Sequence, residues 1–303
     1  MTSANQIIKK FEVGLNPNQL ELSAVGADVL GYGEISTVFK IHGLEDVACK
    51  RMPLFESQLD AEAYNQNYHA YCGYLEECGL TLVKSHTEIF ELPGKPITLY
   101  IIQEKLPSEA FAHQLLHSLP DPDVKEIIGS IIQEIHKVWD FNTQNKPGLE
   151  IALDGQLSNW VRLGNRFAYI DTSTPLFKIH GKEQLDPELF LKTAPSFLRW
   201  IIRLLFLQDV MDRYYDLRSV LMDLAANLYK EQREDLIPAV LDMINAQFGN
   251  ENKPIEEKEV EKYYKEDKLI WTLFLTFRRI DRWIQTNILR QTYETILPGK
   301  IKR

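Results

Sequence analysis

The chain is poor in the features that mark several common chemistries. Among 303 residues there are three cysteines, Cys49, Cys72 and Cys78, an odd number with no C-x-x-C pair. Neither a disulfide framework nor a thiolate metal site is expected. No apolar leader opens the sequence, so the cytoplasm is the expected location. The seven histidines include no H-E-x-x-H pair, and His113 and His117, four apart on an expected helix, lack an acidic or cysteine partner; a metal site there is not expected. G-x-S-x-G and G-x-x-x-x-G-K-[ST] are both absent, which sets aside a serine hydrolase and a Walker-type phosphate loop. Apolar runs are short. Trp200 to Leu207 is interrupted by Arg203, and Leu269 to Phe277 stops well below the ~20 residues that span a bilayer. Both read as core helices, and no membrane span is expected.

A net charge of -9 argues against a general nucleic-acid binder, because counterion release from phosphate backbones needs clustered Lys and Arg. It permits a cationic substrate without requiring one. At this length the chain can bury a full core and form two lobes with a cleft between them.

Residues 21 to 103 read as a small sheet carrying one helix. Thr37–Ile41 and Asp46–Met52 flank the turn His42-Gly43-Leu44-Glu45, and His86–Leu92 and Ile97–Gln103 flank Pro93-Gly94-Lys95-Pro96, giving two hairpins. Between them Tyr64, Tyr68, Tyr71, Leu75 and Cys78 recur at fours and threes, an apolar helical stripe that Gly79 ends. Beyond Gln103 the pattern turns helical. Val124, Ile127, Ile128, Ile131, Ile132, Ile135, Val138 and Trp139 mark one amphipathic helix, Leu217 to Leu228 a second, Ile237 to Ala246 a third, and Leu269 to Tyr293 a long terminal one. Phe248 to Lys268 reads first as a surface loop and then as a solvated helix start. One β-hairpin interrupts the helices: Trp160–Leu163 and Arg166–Ile170 around Gly164-Asn165. The expected division is a β-rich lobe over residues 1–104 and a helical lobe over 105–303, with a hinge at 103 to 107.

Two stretches carry the chemistry. In the first, Gly31-Tyr32-Gly33-Glu34-Ile35-Ser36 links two β runs, where glycines let backbone amides approach phosphate oxygens. A strand follows, which excludes the dinucleotide fingerprint that needs a helix there. Lys50 ends Val47-Ala48-Cys49-Lys50 and is expected to point into a cleft beneath the turn, oriented by a carboxylate on the next helix. Glu62 is the candidate, and Asp60, nearer the tyrosine face, stays open. In the second, Asp154 precedes Asn159 by five positions, and the hairpin returns the chain at Asp171. Two carboxylates and an amide at this spacing suit an acceptor hydroxyl and Mg²⁺.

In this order the residues resemble the protein-kinase-like superfamily, specifically its small-molecule branch of aminoglycoside and choline phosphotransferases, over roughly residues 25 to 175. The resemblance implies a two-lobed α+β fold with ATP in the cleft. Gly31, Gly33 and Ser36 would cover the phosphates, Lys50 would bind them, and Gln103, Glu104 and Leu106 would form the adenine-contacting hinge. Asp154 would be the catalytic base or hydroxyl-orienting group, and Asn159 and Asp171 the magnesium ligands. The chain departs from the family in three places. Ala152 stands where the family usually has His, Gln156 where protein kinases have Lys, and Asp171 is followed by Thr172-Ser173-Thr174-Pro175 with no A-P-E beyond. The expected activity is an ATP- and Mg²⁺-dependent transfer of phosphate to a hydroxyl of a small molecule. The alternatives are a catalytically silent nucleotide-binding or scaffold protein and an atypical protein kinase. Two clusters read as helix surface: Arg213-Tyr214-Tyr215-Asp216 with Arg218, and a basic face of Arg278, Arg279, Arg282 and Arg290.

Overall fold

Alternation along one strand sets the position of the whole site. In the computed structural model, which describes residues 3–33, 36–145, 147–186, 188–189, 199, 207–248 and 253–297, β3 (Val47–Phe55) lies at the centre of a five-stranded antiparallel sheet. With β1 (Ala27–Tyr32), β2 (Thr37–Ile41), β5 (Ser85–Phe90) and β6 (Ile97–Glu104), the strand order is β1-β2-β3-β6-β5. Successive side chains of a strand point to opposite faces. Cys49 and Arg51 therefore face one side, and Lys50 and Met52 the other. Cys49 joins Phe39, Ile41, Tyr100 and Ile102 in an outer core, whereas Met52, Leu99 and Ile101 belong to the main core. A one-residue slip would exchange Lys50 for Arg51. The pairings Val38 with Lys50 and Lys50 with Ile101 fix the register.

The outer face is covered by α1 (Ala4–Gly14), whose Ile8 and Phe11 pack against Phe39 and Ile41. Ser3 and Gln6 close a capping box at its start, satisfying two of the amides that a helix N-terminus leaves unpaired. The inner face carries α2 (Gln58–Glu77), capped by Ser57, with Tyr64, Tyr68, Tyr71 and Leu75 buried. It ends at Gly79, where φ is +87°, a conformation that favours glycine.

β6 ends at Glu104, and the chain passes through a short turn at Ser108–Ala110 into α3 (Ala112–Ser118) and α4 (Asp121–Gln144). Seven aliphatic residues of α4 from Val124 to Val138 are buried, each contributing roughly 1.5–3 kcal/mol relative to exposure. Small sheets then present the functional loops. β4 (Thr81–Leu82), β9 (Arg166–Tyr169) and β8 (Trp160–Leu163) form one, in the order β4-β9-β8, and β11 (Lys182–Glu183), β10 (Phe177–Ile179) and β7 (Leu149–Ile151) form the other. Further helices are α5 (Leu207–Tyr215), α6 (Leu217–Lys230), α7 (Ile237–Phe248) and α8 (Glu257–Trp283).

The α+β architecture matches expectation: a β-rich N-terminal region and a helical C-terminal one. Both N-terminal hairpins, the helix between them and the Gly164 hairpin form where periodicity places them. The terminal helix differs. It starts at Glu257, ends at Trp283 and continues as a single wide turn over Ile284–Ile288, so Tyr293 lies beyond it and is buried. The expected basic face also differs, because Arg278 is 2% exposed. The run from Trp200 to Phe206 lies outside the described residues. Among the described residues no helix is long and apolar enough to cross a membrane.

The segment beyond α8 returns to the outer face of the sheet. Arg51, 2% exposed, makes a two-pronged contact with the buried Glu12 carboxylate, donating to both oxygens at 2.7 Å, and donates to Glu294 Oε2 at 2.9 Å. Tyr100 donates to Glu12 at 2.5 Å. One buried guanidinium thus joins α1, β3 and the C-terminal segment, and Ile296 adds an apolar contact in the same core.

Candidate active site

Nine of the eleven residues expected to hold nucleotide, metal or acceptor line one cleft of about 300 Å³: Gly31, Gly33, Ser36, Lys50, Gln103, Glu104, Leu106, Asn159 and Asp171. The roof is Gly31, Gly33 and Ser36 at the facing ends of β1 and β2, the back wall is β3 and the end of β6, and the floor is the loop around Asn159 and Asp171. At the roof, Gly33 donates its amide to Ser36 O at 2.9 Å, and a Cβ added to Gly33 would stand 2.9 Å from Ser36 Oγ. Just past the end of β6, Lys105 N donates to Asp46 O at 2.9 Å, holding 104–106 against the start of β3.

Lys50 donates to Asp171 Oδ1 at 3.0 Å and to Ile170 O at 3.2 Å. Ser173 Oγ donates to the same carboxylate oxygen at 2.8 Å. Burial alone would push Asp171 up, but the Lys50 ammonium and the Ser173 hydroxyl outweigh it and hold its carboxyl below the ordinary range. It is a carboxylate at neutral pH. Asn159 donates through Nδ2 to Asp154 O at 3.3 Å, which leaves its oxygen for the cleft.

The helix carboxylate expected beside Lys50 is not there. Glu62 is exposed and accepts from the Gln58 amide at 3.0 Å, and Asp60 is exposed in the first turn. Both lie off the buried face of α2, which Tyr64, Tyr68 and Tyr71 occupy. The carboxylate partner of Lys50 is Asp171.

Asp154 lines a second, smaller cavity of about 70 Å³ with Gly155, Gln156, Arg213, Tyr214 and Asp223. Arg213 and Tyr214, expected on a helix surface, are wall residues here. Asp154 Oδ1 accepts from Gln156 N at 3.0 Å, closing a local turn. Gly155 packs so tightly that an added Cβ would lie 2.7 Å from Val220 Cγ1. Two side-chain amides, the buried Asn227 and the half-buried Asn142, tie the loop to the helices. Asn227 accepts from Leu157 N at 3.2 Å, and Asn142 bonds Ile151 through both its oxygen and its nitrogen. Neither asparagine stands out in the sequence, since each sits inside an apolar helical stripe. Asp223 is pushed up to about 6, first by burial and then by the neighbouring Asp267, against the pull of Lys230.

The residues present fit a magnesium-bound nucleoside triphosphate. Among the described residues no group of three His, Cys, Asp or Glu could form a metal site of the all-protein type; His117 instead approaches Glu231 at 3.8 Å. Mg²⁺ commonly takes one or two protein oxygens and completes its shell with phosphates and water, and Asp171 and Asn159 supply such oxygens on one wall.

No curated protein matches the sequence. A solved structure of WaaP in complex with acyl carrier protein is similar over 74% of this chain and 92% of that chain, at 14% identity and a TM-score of 0.33. A score of that size leaves the fold to be judged from the chain's own topology. A family model described as a family of unknown function, DUF6206, matches residues 23–282. That span covers most of the sheet, the cleft and the helical region, and the chain belongs to this family.

Proposed function

We propose that the protein is an ATP- and Mg²⁺-dependent phosphotransferase that transfers the γ-phosphoryl group to a hydroxyl of a small molecule. The observation that carries this reading is the meeting of Lys50 and Asp171, 121 positions apart, in the cleft roofed by Gly31 and Gly33 and floored by Asn159. Phosphoryl transfer asks a protein chiefly for positioning and for charge to offset the phosphates. Lys50 would take α- and β-phosphate oxygens, and Gln103 to Leu106 would hold the base. Asp171 and Asn159 would hold Mg²⁺, which when bound neutralises charge on the transferring group. Asp154 faces a separate small cavity. It would accept or orient the acceptor hydroxyl there, with Arg213, Tyr214 and Asp223 as the surrounding contacts.

A second reading, a silent nucleotide-binding protein, draws on one observation: Lys50 is bonded to Asp171 and Ile170 O, and α2 offers it no carboxylate. The two separate on Asp154. In the phosphotransferase, Asp154→Asn binds ATP as wild type does and loses at least a hundredfold in the slow hydrolysis of ATP. If wild type binds Mg-ATP but shows neither hydrolysis nor transfer to any component of a hydroxyl-rich metabolite pool, the silent reading replaces it.

A further inference from the structure

Asp154 is held in place by hydrogen bonds to two buried tyrosines. The Tyr71 hydroxyl donates to Ala152 O at 2.8 Å, and the Asp154 amide donates to the Tyr169 hydroxyl oxygen at 3.2 Å. A carbonyl can only accept, so the Tyr71 proton is committed to Ala152. The loop is thus held at two points, by the bond Tyr71 gives at residue 152 and the bond Tyr169 accepts at residue 154.

Both side chains are at most 1% exposed. A buried hydroxyl is costly unless bonded, and phenylalanine would fill either space as well as tyrosine does. The Tyr71 ring lies parallel to Phe177, centroids 6.4 Å apart, a contact phenylalanine would keep. What only the hydroxyls provide is the hold on residues 152 to 154. Ala152 has no side-chain group to fix its own loop, and the chain around it is fastened from outside.

The two tyrosines also come from the elements that build the rest of the site. Tyr169 ends β9, two residues before Asp171, and Tyr71 lies on the face of α2 that packs beneath Lys50's side of the sheet. One and two helical turns earlier, Tyr68 accepts from Thr172 Oγ1 at 3.4 Å and Tyr64 donates to Ser173 O at 2.5 Å. The same helix face therefore grips the segment before Asp154 and the segment after Asp171. In helical spacing these tyrosines are one row.

We propose that Tyr71 and Tyr169 are positioning residues for phosphoryl transfer, setting Asp154 in register with Lys50 and Asp171. This rests on the phosphotransferase reading of the cleft. The test uses the full chain and the variants Tyr71→Phe, Tyr169→Phe and both together. Three quantities are read: kcat and KM for Mg-ATP hydrolysis, amide hydrogen exchange over residues 152–156, and the thermal midpoint. Each single variant is expected to lower kcat about tenfold with KM for ATP within twofold. Exchange over 152–156 should rise at least tenfold while that of β6 stays unchanged. The double variant should lose more kcat and gain more exchange than either single, because the two bonds hold the loop at separate residues. If Tyr71→Phe does not fold, Tyr169→Phe carries the same test. Unchanged exchange over 152–156, or a loss of kcat that only tracks the folded fraction, overturns the positioning role. A wild type that binds Mg-ATP but neither hydrolyses it nor transfers phosphate to any component of a hydroxyl-rich metabolite pool overturns the phosphotransferase reading, and with it the catalytic purpose of the two tyrosines, whatever the exchange shows.

Discussion

Lys50 and Asp171 form a 3.0 Å ion pair that joins the central strand of the sheet to the segment after β9. The pair is partly shielded, with side chains 11% and 26% exposed, so it is neither a fully screened surface contact nor a fully desolvated one. Its two members sit where phosphate and metal would compete for them. Lys50→Met is expected to weaken Mg-ATP binding at least tenfold. It should also raise the acid midpoint of unfolding. Asp171 is held below its ordinary 3.8 in the folded chain, so its contribution is present above that value and lost as pH falls through the folded one. Without Lys50 the loss begins at higher pH, which a denaturation series between pH 2.5 and 5 would show.

Glu12 is expected to be a large single contributor to stability. Its carboxylate accepts two bonds from Arg51 and one from Tyr100, so Glu12→Gln leaves a buried guanidinium short of its counter-charge. Removing one partner of such a pair costs about 3–5 kcal/mol. Burial raises Glu12, but Arg51 and Tyr100 bring it below 4.5 on balance; the stabilisation is therefore present above pH 4.5 and fades below it. Thermal melts of Glu12→Gln and wild type at pH 7 and pH 3 should differ much more at pH 7.

Asp223 predicts the opposite slope. Its folded value of about 6 lies above the ordinary 3.8, so the unfolded chain releases this proton first and stability falls as pH rises from about 4 to 6. Asp223→Asn removes that penalty, at most a few kcal/mol for a two-unit shift. The variant should melt higher than wild type at pH 7.5 and with it at pH 3.5. Equal melting curves at both pH values would remove the charge argument.

Gly155→Ala tests the packing that holds the Asp154 loop against α6. The new methyl would meet Val220 Cγ1 at 2.7 Å, Ile135 Cδ1 at 3.2 Å and Val220 O at 3.4 Å, so helix or loop must move. Overpacking of this kind costs roughly 1–3 kcal/mol. A drop in the thermal midpoint with Mg-ATP affinity kept is the expected result, because Gly155 lines the smaller cavity and not the larger cleft beneath Gly31 and Gly33.

What the sequence made legible follows from periodicity. The distance of Lys50 from Gly31 and the apolar run Val47-Ala48-Cys49 before it pointed Lys50 toward the cleft, and the turns at Gly43, Gly94 and Gly164 told where strands would reverse. The role of Glu62 was misjudged because spacing along a helix says nothing of azimuth until the buried face is known. Tyr64 and Tyr71 define that face, and Glu62, two residues before Tyr64, points well away from it. The same stripe concealed the tyrosine hydroxyl bonds, since tyrosine at helical spacing reads as bulk for a core. α1 had a signal in Ser3 and Gln6 followed by Ile8, Phe11 and Leu15. Glu12 beside Phe11 had none, because only the fold brings Arg51 to it.

Isothermal titration of ATP into the full chain, with and without Mg²⁺, and again into Asp171→Asn, tests the central claim most directly. The account predicts one nucleotide per chain, binding at least tenfold tighter with Mg²⁺, and loss of that difference in Asp171→Asn. No heat of binding at millimolar ATP, or equal affinity with and without the metal, would contradict it.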